Sequence, residues 1–321
     1  VDIVGNADGG VPAASSMNVP VSYTLNTGQF LQITQQKELT GSVIQSTQPV
    51  GVFGASACMD VPNGQDLCDS GQQQLPPVRA LGSEYVGVRY RNRGAGADGG
   101  SPPEETPPWR VVGAVDGTQL TWLPSTPPGA PKTIGQGDVA EFPAAGPFVV
   151  TSQDPNHPFY LGAFMTGGGD PPPTPSGLGG EGDPDWVNVV SPAQYLNHYV
   201  FFTDPTYPDT NLVLVRSPSK VDGTFADVTL DCAGGSGPIT LSGWQPIGKY
   251  EYTRVDLVTG NFMSVGGCTN GRQELASKLP FGVTVWGWGT FATQTPNVSY
   301  AYPAGAGFQP INQVMIPPTP K

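Results

Sequence analysis

Basic residues are scarce in this chain: 14 Lys and Arg stand against 26 Asp and Glu among 321 residues, a net charge of −12. Such a surface repels a phosphate backbone, so a nucleic-acid partner is excluded. Histidine is scarcer still. His157 sits in a polar turn and His198 opens an apolar strand, and both read as structural residues. No run of about 18 apolar residues occurs, so no segment is expected to span a bilayer. The signatures G-x-S-x-G, H-E-x-x-H, the P-loop and a helix-opening G-x-G-x-x-G are all missing. Their absence removes the commonest sequence marks of serine hydrolases, zinc proteases and nucleotide enzymes. Carboxylates such as Glu84, Glu104, Glu105, Glu141 and Asp185 leave a glycosidase pair as a third-ranked reading, because two acids are a weak demand on any sequence.

Glycine and proline are abundant instead, 44 and 36 residues, about a quarter of the chain. Both break helices, and proline lacks the N–H that a central strand donates, so short strands joined by many turns are expected. A 37% hydrophobic content rules out disorder of the whole chain, since it supplies enough apolar area for a core. Sparse charge and four cysteines fit an exported protein. Cys58–Cys68 and Cys232–Cys268 are the pairs that close the nearest loops, although four cysteines allow three connectivities and sequence does not choose among them. There is no C-x2-C pair, so zinc is not expected. "VDIVG" at residues 1–5 reads as the middle of a strand and "IPPTPK" at the other end as a linker. The chain is therefore expected to be mature or excised material from a longer exported protein.

Three stretches run from a serine through a polar turn and a proline into a strand spaced by glycines: "STQPVGVFG" (46–54), "SQDPNHPFYLGAF" (152–164) and "SKLPFGVTVWGWG" (277–289). The serines stand about 106 and 125 residues apart, the length of one β-sandwich. The last two thirds also agree in what precedes the turn: an aromatic-rich strand, an alternating pair and a short strand. The expected fold is all-β, with three tandem related β-sandwich units and long Gly/Pro-rich loops. The units are placed at 1–78 (incomplete at its start), 79–190 and 191–310, with a Pro-rich linker or tail at 311–321. In "TFADVTLDC" the alternation predicts Ala226, Val228, Leu230 and Cys232 on one face.

Residues 51–93 carry a "PVGVFG" strand, a Cys, a Val-Pro, a second Cys followed by Asp69, then "QQLPP" and a Gly-x-Glu-Tyr strand. In this combination the chain resembles the N-terminal domain of IgGFc-binding protein, a mucus-associated family with many bacterial exported members. The resemblance continues through "GDPDWVNVVSPAQYLNHYVFFTDP" (182–205) to "PFGVTVWGWGTFATQTPNVSYAYPAG" (280–305). It implies a secreted or cell-surface protein, and catalytic residues are not part of the family's pattern.

Candidate site residues follow from exposure and charge. Trp109 and Trp186 adjoin the long loops 92–108 and 166–185, and exposed rings there would stack on sugars. Trp286 and Trp288 share a strand face and are expected in a core between units. Arg89, Arg91 and Arg93 alternate along "VRYRNR", as anchors for an acidic loop such as Glu104 and Glu105 or as a row for an anionic ligand. Asp183, Asp185, Asp204 and Asp209 are weak calcium candidates, better read as turn starters. No metal and no cofactor are expected. The functional expectation is a non-catalytic, exported recognition or adhesion module for an extracellular glycan or glycoprotein, with another surface protein as the next partner. A structural spacer in a larger envelope protein is the alternative.

Overall fold

The computed structural model describes residues 19–64, 68–94, 102, 104–169 and 178–316. The "VDIVG" strand, the end of the Pro-rich tail and the centres of the two long loops lie outside these residues. Nearly all regular structure is antiparallel β, as the Gly and Pro content requires.

Eight strands form the middle of the molecule: β3 (Glu84–Gly87), β4 (Pro108–Gly113), β5 (Thr118–Leu123), β6 (Thr133–Ile134), β7 (Val139–Pro143), β8 (Phe148–Ser152), β9 (Phe159–Met165) and β10 (Asp185–Asn188). Seen edge to edge they make two four-stranded sheets, β3-β8-β5-β6 and β10-β9-β4-β7. Strand alternation fills the space between them. Trp109 and Val111 from β4, Leu120 and Trp122 from β5, Phe142 from β7 and Phe148 from β8 all turn inward. The rings of Trp122, Phe142 and Phe148 meet at centroid distances of 5.1–5.9 Å, the tilted geometry that aromatic quadrupoles favour.

The last third holds β11 (Leu196–Thr203), β12 (Asp209–Arg216), β13 (Val228–Asp231), β14 (Ile239–Thr240), β15 (Gln245–Ile247), β16 (Tyr250–Thr259), β17 (Met263–Ser264), β18 (Gly271–Trp288) and β19 (Ser299–Pro303). β18 serves two layers. Its first half, to Ser277, pairs with β11 and β13, and from Phe281 it pairs with β12 and β19. Such a strand makes the corner of a sandwich. Enclosed between the layers are Tyr199, Phe201, Leu212, Leu214, Val228, Leu230, Leu275 and Phe281. Val228, Leu230 and Cys232 are buried, as the alternation of that stretch predicts, while Asp231 is exposed.

The two sandwiches pair their strands in the same order. β3-β8-β5-β6 runs like β11, the first half of β18, β13 and β14. Likewise β10-β9-β4-β7 runs like β19, the second half of β18, β12 and β16. One side-chain device also appears in both. The Tyr85 hydroxyl accepts the Gly82 N–H and donates to the Phe159 carbonyl at 2.7 Å. The Tyr199 hydroxyl accepts the Leu196 N–H and donates to the Phe281 carbonyl. In each case the ring lies 5.0 Å from that phenylalanine's ring.

The two bodies share a core. β12 turns Leu212 and Leu214 into its own sandwich and Val213 and Val215 outward, where they join Trp286, Trp288 and the residues of the middle sandwich. A strand buried on both faces is apolar throughout, as "LVLV" (212–215) is. A cavity of about 30 Å³, roughly room for one water, lies in this interface between Val86, Val187, Val213 and Trp286.

The first third departs from the expected sandwich. Its described residues contribute one hairpin, β1 (Phe53–Met59) with β2 (Asp69–Gln74), and residues 19–52 join no sheet. That segment is held by contacts rather than by a ladder. Glu38 pairs with Arg110, and Gly41, at φ +86°, lies so close to Gly137 that a Cβ would stand 2.3 Å from its carbonyl oxygen. The tail is likewise anchored as far as it is described. The Asn312 side chain donates to the carbonyls of Val78 (2.8 Å) and Leu81 (2.9 Å) and is buried.

Candidate functional site

Residues 88–93, just past β3, run along the seam between the two sandwiches. Tyr90 is buried against Trp286 and Trp288, with ring centroids 5.0 and 6.0 Å away. Its hydroxyl donates to Glu105 at 3.0 Å. Arg93, fully buried, meets the same carboxylate at 2.7 Å. It also donates to the Thr166 carbonyl at 3.0 Å and the Glu181 carbonyl at 2.8 Å. Burial alone would push Glu105 upward, but the guanidinium and the Arg93 N–H hold its carboxyl below the usual range. Arg91 pairs with Asp209 and, at 2.9 Å, with Asp256, and its guanidinium covers the Trp288 ring at 4.7 Å. Arg89 bonds Glu104 at 3.0 Å, and its own carbonyl accepts from Arg254 at 2.8 Å.

The arginine row thus binds carboxylates of its own chain, the first of the two roles weighed for it. Arg89 and Arg93 are buried, so neither reaches an external anion. Trp109 is corrected as well. It lies 0% exposed in the middle sandwich, edge-on to Phe148 at 4.8 Å, with its indole N–H donating to the Ala144 carbonyl at 2.9 Å. Proximity to a long loop suggested exposure; the inward phase of β4 decides otherwise.

Trp186 is half-buried. Its ring stacks on Phe164 at 6.4 Å, and hairpin β1–β2 lies across it. A Cβ on Gly71 would stand 2.8 Å from the indole, so the glycine permits this approach. Gln73 donates to the carbonyls of Trp186 and Ala301, both at 3.0 Å, and the Asn188 side chain donates to the Gln74 carbonyl at 2.8 Å. Next to this contact lie Asp183 and Asp185, both buried. Burial first, then Asp69 at the start of β2, pushes both carboxyls up to about 7. Asp185 accepts the Trp186 N–H at 2.7 Å. The Oδ1 of Asp183 has no hydrogen-bond partner among the described residues.

The calcium candidates therefore separate. Asp209 is engaged with Arg91, Asp204 caps a turn through the Thr206 N–H at 2.8 Å, and only Asp183 and Asp185 adjoin one another. Among the described residues no three His, Cys, Asp or Glu side chains form a group able to hold a metal. His157 bonds Asp154 within its turn at 2.9 Å and His198 bonds Glu274 across strands at 2.8 Å. Both disulfides form, Cys58–Cys68 and Cys232–Cys268. Sequence reasoning missed Tyr85 and Tyr199, whose only signal is a tyrosine shortly before an aromatic or β-branched residue in both copies of the aromatic-rich strand.

No helix of the described residues is long and apolar enough to cross a membrane. Neither the curated proteins nor the solved structures contain a match to this sequence. The family model described as IgGFc binding protein matches residues 1–287, which takes in both sandwiches up to the end of β18's second half. On that match the chain belongs to the IgGFc binding protein family.

Proposed function

We propose that the chain is a non-catalytic, extracellular recognition module for a glycoprotein, displayed at a cell surface or secreted. The family match over residues 1–287 carries this reading, because it spans the middle sandwich and all of the second but β19 and the last residue of β18, rather than one loop. Two disulfides among four cysteines suit an oxidising compartment. The histidines and arginines that chemistry would recruit are bonded within the chain. The two sandwiches are, on this proposal, copies of one unit, and glycan contact falls to Trp186 rather than Trp109.

The test is direct binding. The chain is presented to an immobilised Fc fragment of immunoglobulin G, to a mucin before and after enzymatic deglycosylation, and to a glycan array. Binding to a glycoprotein is the expected result, and loss on deglycosylation assigns the glycan. Silence on all three sinks the recognition reading. It leaves the spacer alternative, which the burial of Trp109 favours.

A further inference from the structure

The matched strand order of the two sandwiches separates what the fold needs from what has been added. β7 and β16 occupy the same place, each pairing with the strand that flanks the closing strand, β4 or β12. From β7 the chain reaches β8 through residues 144–147 alone. From β16 it reaches β18 through residues 260–270, a longer path that contains β17 and is closed at its base by Cys232–Cys268. The middle sandwich does without this loop. Loops elaborated beyond the needs of a scaffold are where binding residues concentrate.

The loop is apolar at its tip and rigid at its base. Phe262, Met263 and Val265 are 44%, 61% and 38% exposed. Phe262 sits at φ +57°, in the left-handed region where a Cβ-bearing aromatic is strained and glycine is not. Strain of this kind persists where surrounding structure enforces it, and it marks functional positions. Here the enforcing contacts are plain. β17 pairs Ser264 with Val258 and Met263 with Thr259. The N–H of Val265 donates to Leu257 and that of Cys268 to Val265, both at 3.0 Å, and Thr269 donates to Ala233 at 2.7 Å. Asn270 ties the far end to Tyr207 and Thr210, each at 2.8 Å.

We propose that loop 260–267 is a prong that seats Phe262 and Met263 in an apolar, uncharged pocket on a partner protein. Charge selects that occupant. No charged residue lies between Asp256 and Arg272 in a chain of net −12. A membrane-inserting tip carries a basic rim for anionic headgroups; this loop has no basic residue of its own, and Arg91, whose partner Asp209 accepts the Gly260 N–H, is paired with Asp209 and Asp256. A preorganised tip loses little entropy on docking, and exposed aromatic and Met side chains supply hot-spot contacts. The inference rests on the recognition reading above and assigns a surface to it.

A random 12-residue peptide library selected on the wild-type chain supplies the probe, alongside the Fc fragment and phosphatidylcholine and phosphatidylserine vesicles. Selected peptides are expected to be apolar and uncharged. They are expected to lose at least tenfold in affinity to Phe262→Gly and to Met263→Ser, while Phe202→Ser, at another exposed apolar site, leaves them bound. Phe262→Gly should keep or raise the melting temperature, since glycine suits its φ, so lost binding is not lost folding. Equal binding to Phe262→Gly overturns the prong and leaves recognition standing. Preference for either vesicle overturns the protein partner. A library that yields no binder to the wild type overturns the prong, whereas recognition falls only if the Fc fragment, the mucin and the glycan array are silent as well.

Discussion

Tyr85 and Tyr199 hold the same place in two sandwiches, and each hydroxyl bridges two backbone groups. Burial raises both phenols, Tyr199 to about 12, so both stay protonated donors at any ordinary pH. Tyr85→Phe and Tyr199→Phe should each destabilise by about 1–3 kcal/mol, the cost of orphaned buried groups. The check is a shift of the urea midpoint at constant slope. Arg93 and Glu105 set a larger value. Glu105→Gln strands a buried guanidinium and should cost about 3–5 kcal/mol, whereas Arg93→Met with Glu105→Leu should lie much nearer wild type. Thermal melts of the three chains distinguish these outcomes. At this scale the sequence was legible in part: "VRYRNR" left open an internal anchor for Glu104 and Glu105 or a row for an anionic ligand, and in the fold Arg89 pairs with Glu104 and Arg93 with Glu105. It misled at Trp109, because loop proximity says nothing of strand phase.

Hairpin β1–β2 is tied to β10 beside Asp183 and Asp185, and the groups facing these acids set its pH response. Asp69 on β2 repels them, Arg93 attracts Asp183, and the Trp186 N–H bonds Asp185. In the unfolded chain each carboxyl ionises near 4; in the fold each does so near 7. The folded state therefore binds more protons between those values, and stability is full below about pH 4, falls as pH rises to 7 and is flat beyond. Asp183→Asn with Asp185→Asn should remove most of that slope. Amide exchange in residues 69–74 between pH 5 and 8 is the measurement, and a wild-type profile without slope refutes the assignment. Elements were the level best read from sequence. The alternation of "TFADVTLDC" is kept in β13, with Val228 and Leu230 buried and Asp231 exposed. The turn expected at Ser277–Pro280 is instead the middle of one continuous β18, because Pro280 reads as a break until a corner is seen to need it.

The two sandwiches cannot be parted without exposing Tyr90, Trp286, Trp288, Val213 and Val215, so they should unfold together. Calorimetry is expected to give one transition with matching calorimetric and van't Hoff enthalpies; two resolved transitions would show independent bodies. That shared core was legible in part: Trp286 and Trp288 on one strand face were expected between units and lie there, whereas nothing in the sequence marked Tyr90, Val213 and Val215 as their partners. The first third misled for a related reason: its turn repeats the others, but residues 19–52 lean on the middle sandwich instead of building sheets. One further result belongs to the whole molecule. The path that β18 travels as unbroken strand is interrupted between β8 and β9 by the exposed turn 153–157. A broad-specificity protease should therefore nick the first copy at that turn while sparing the matching position in the second, and the two fragments should stay together until denaturant is added.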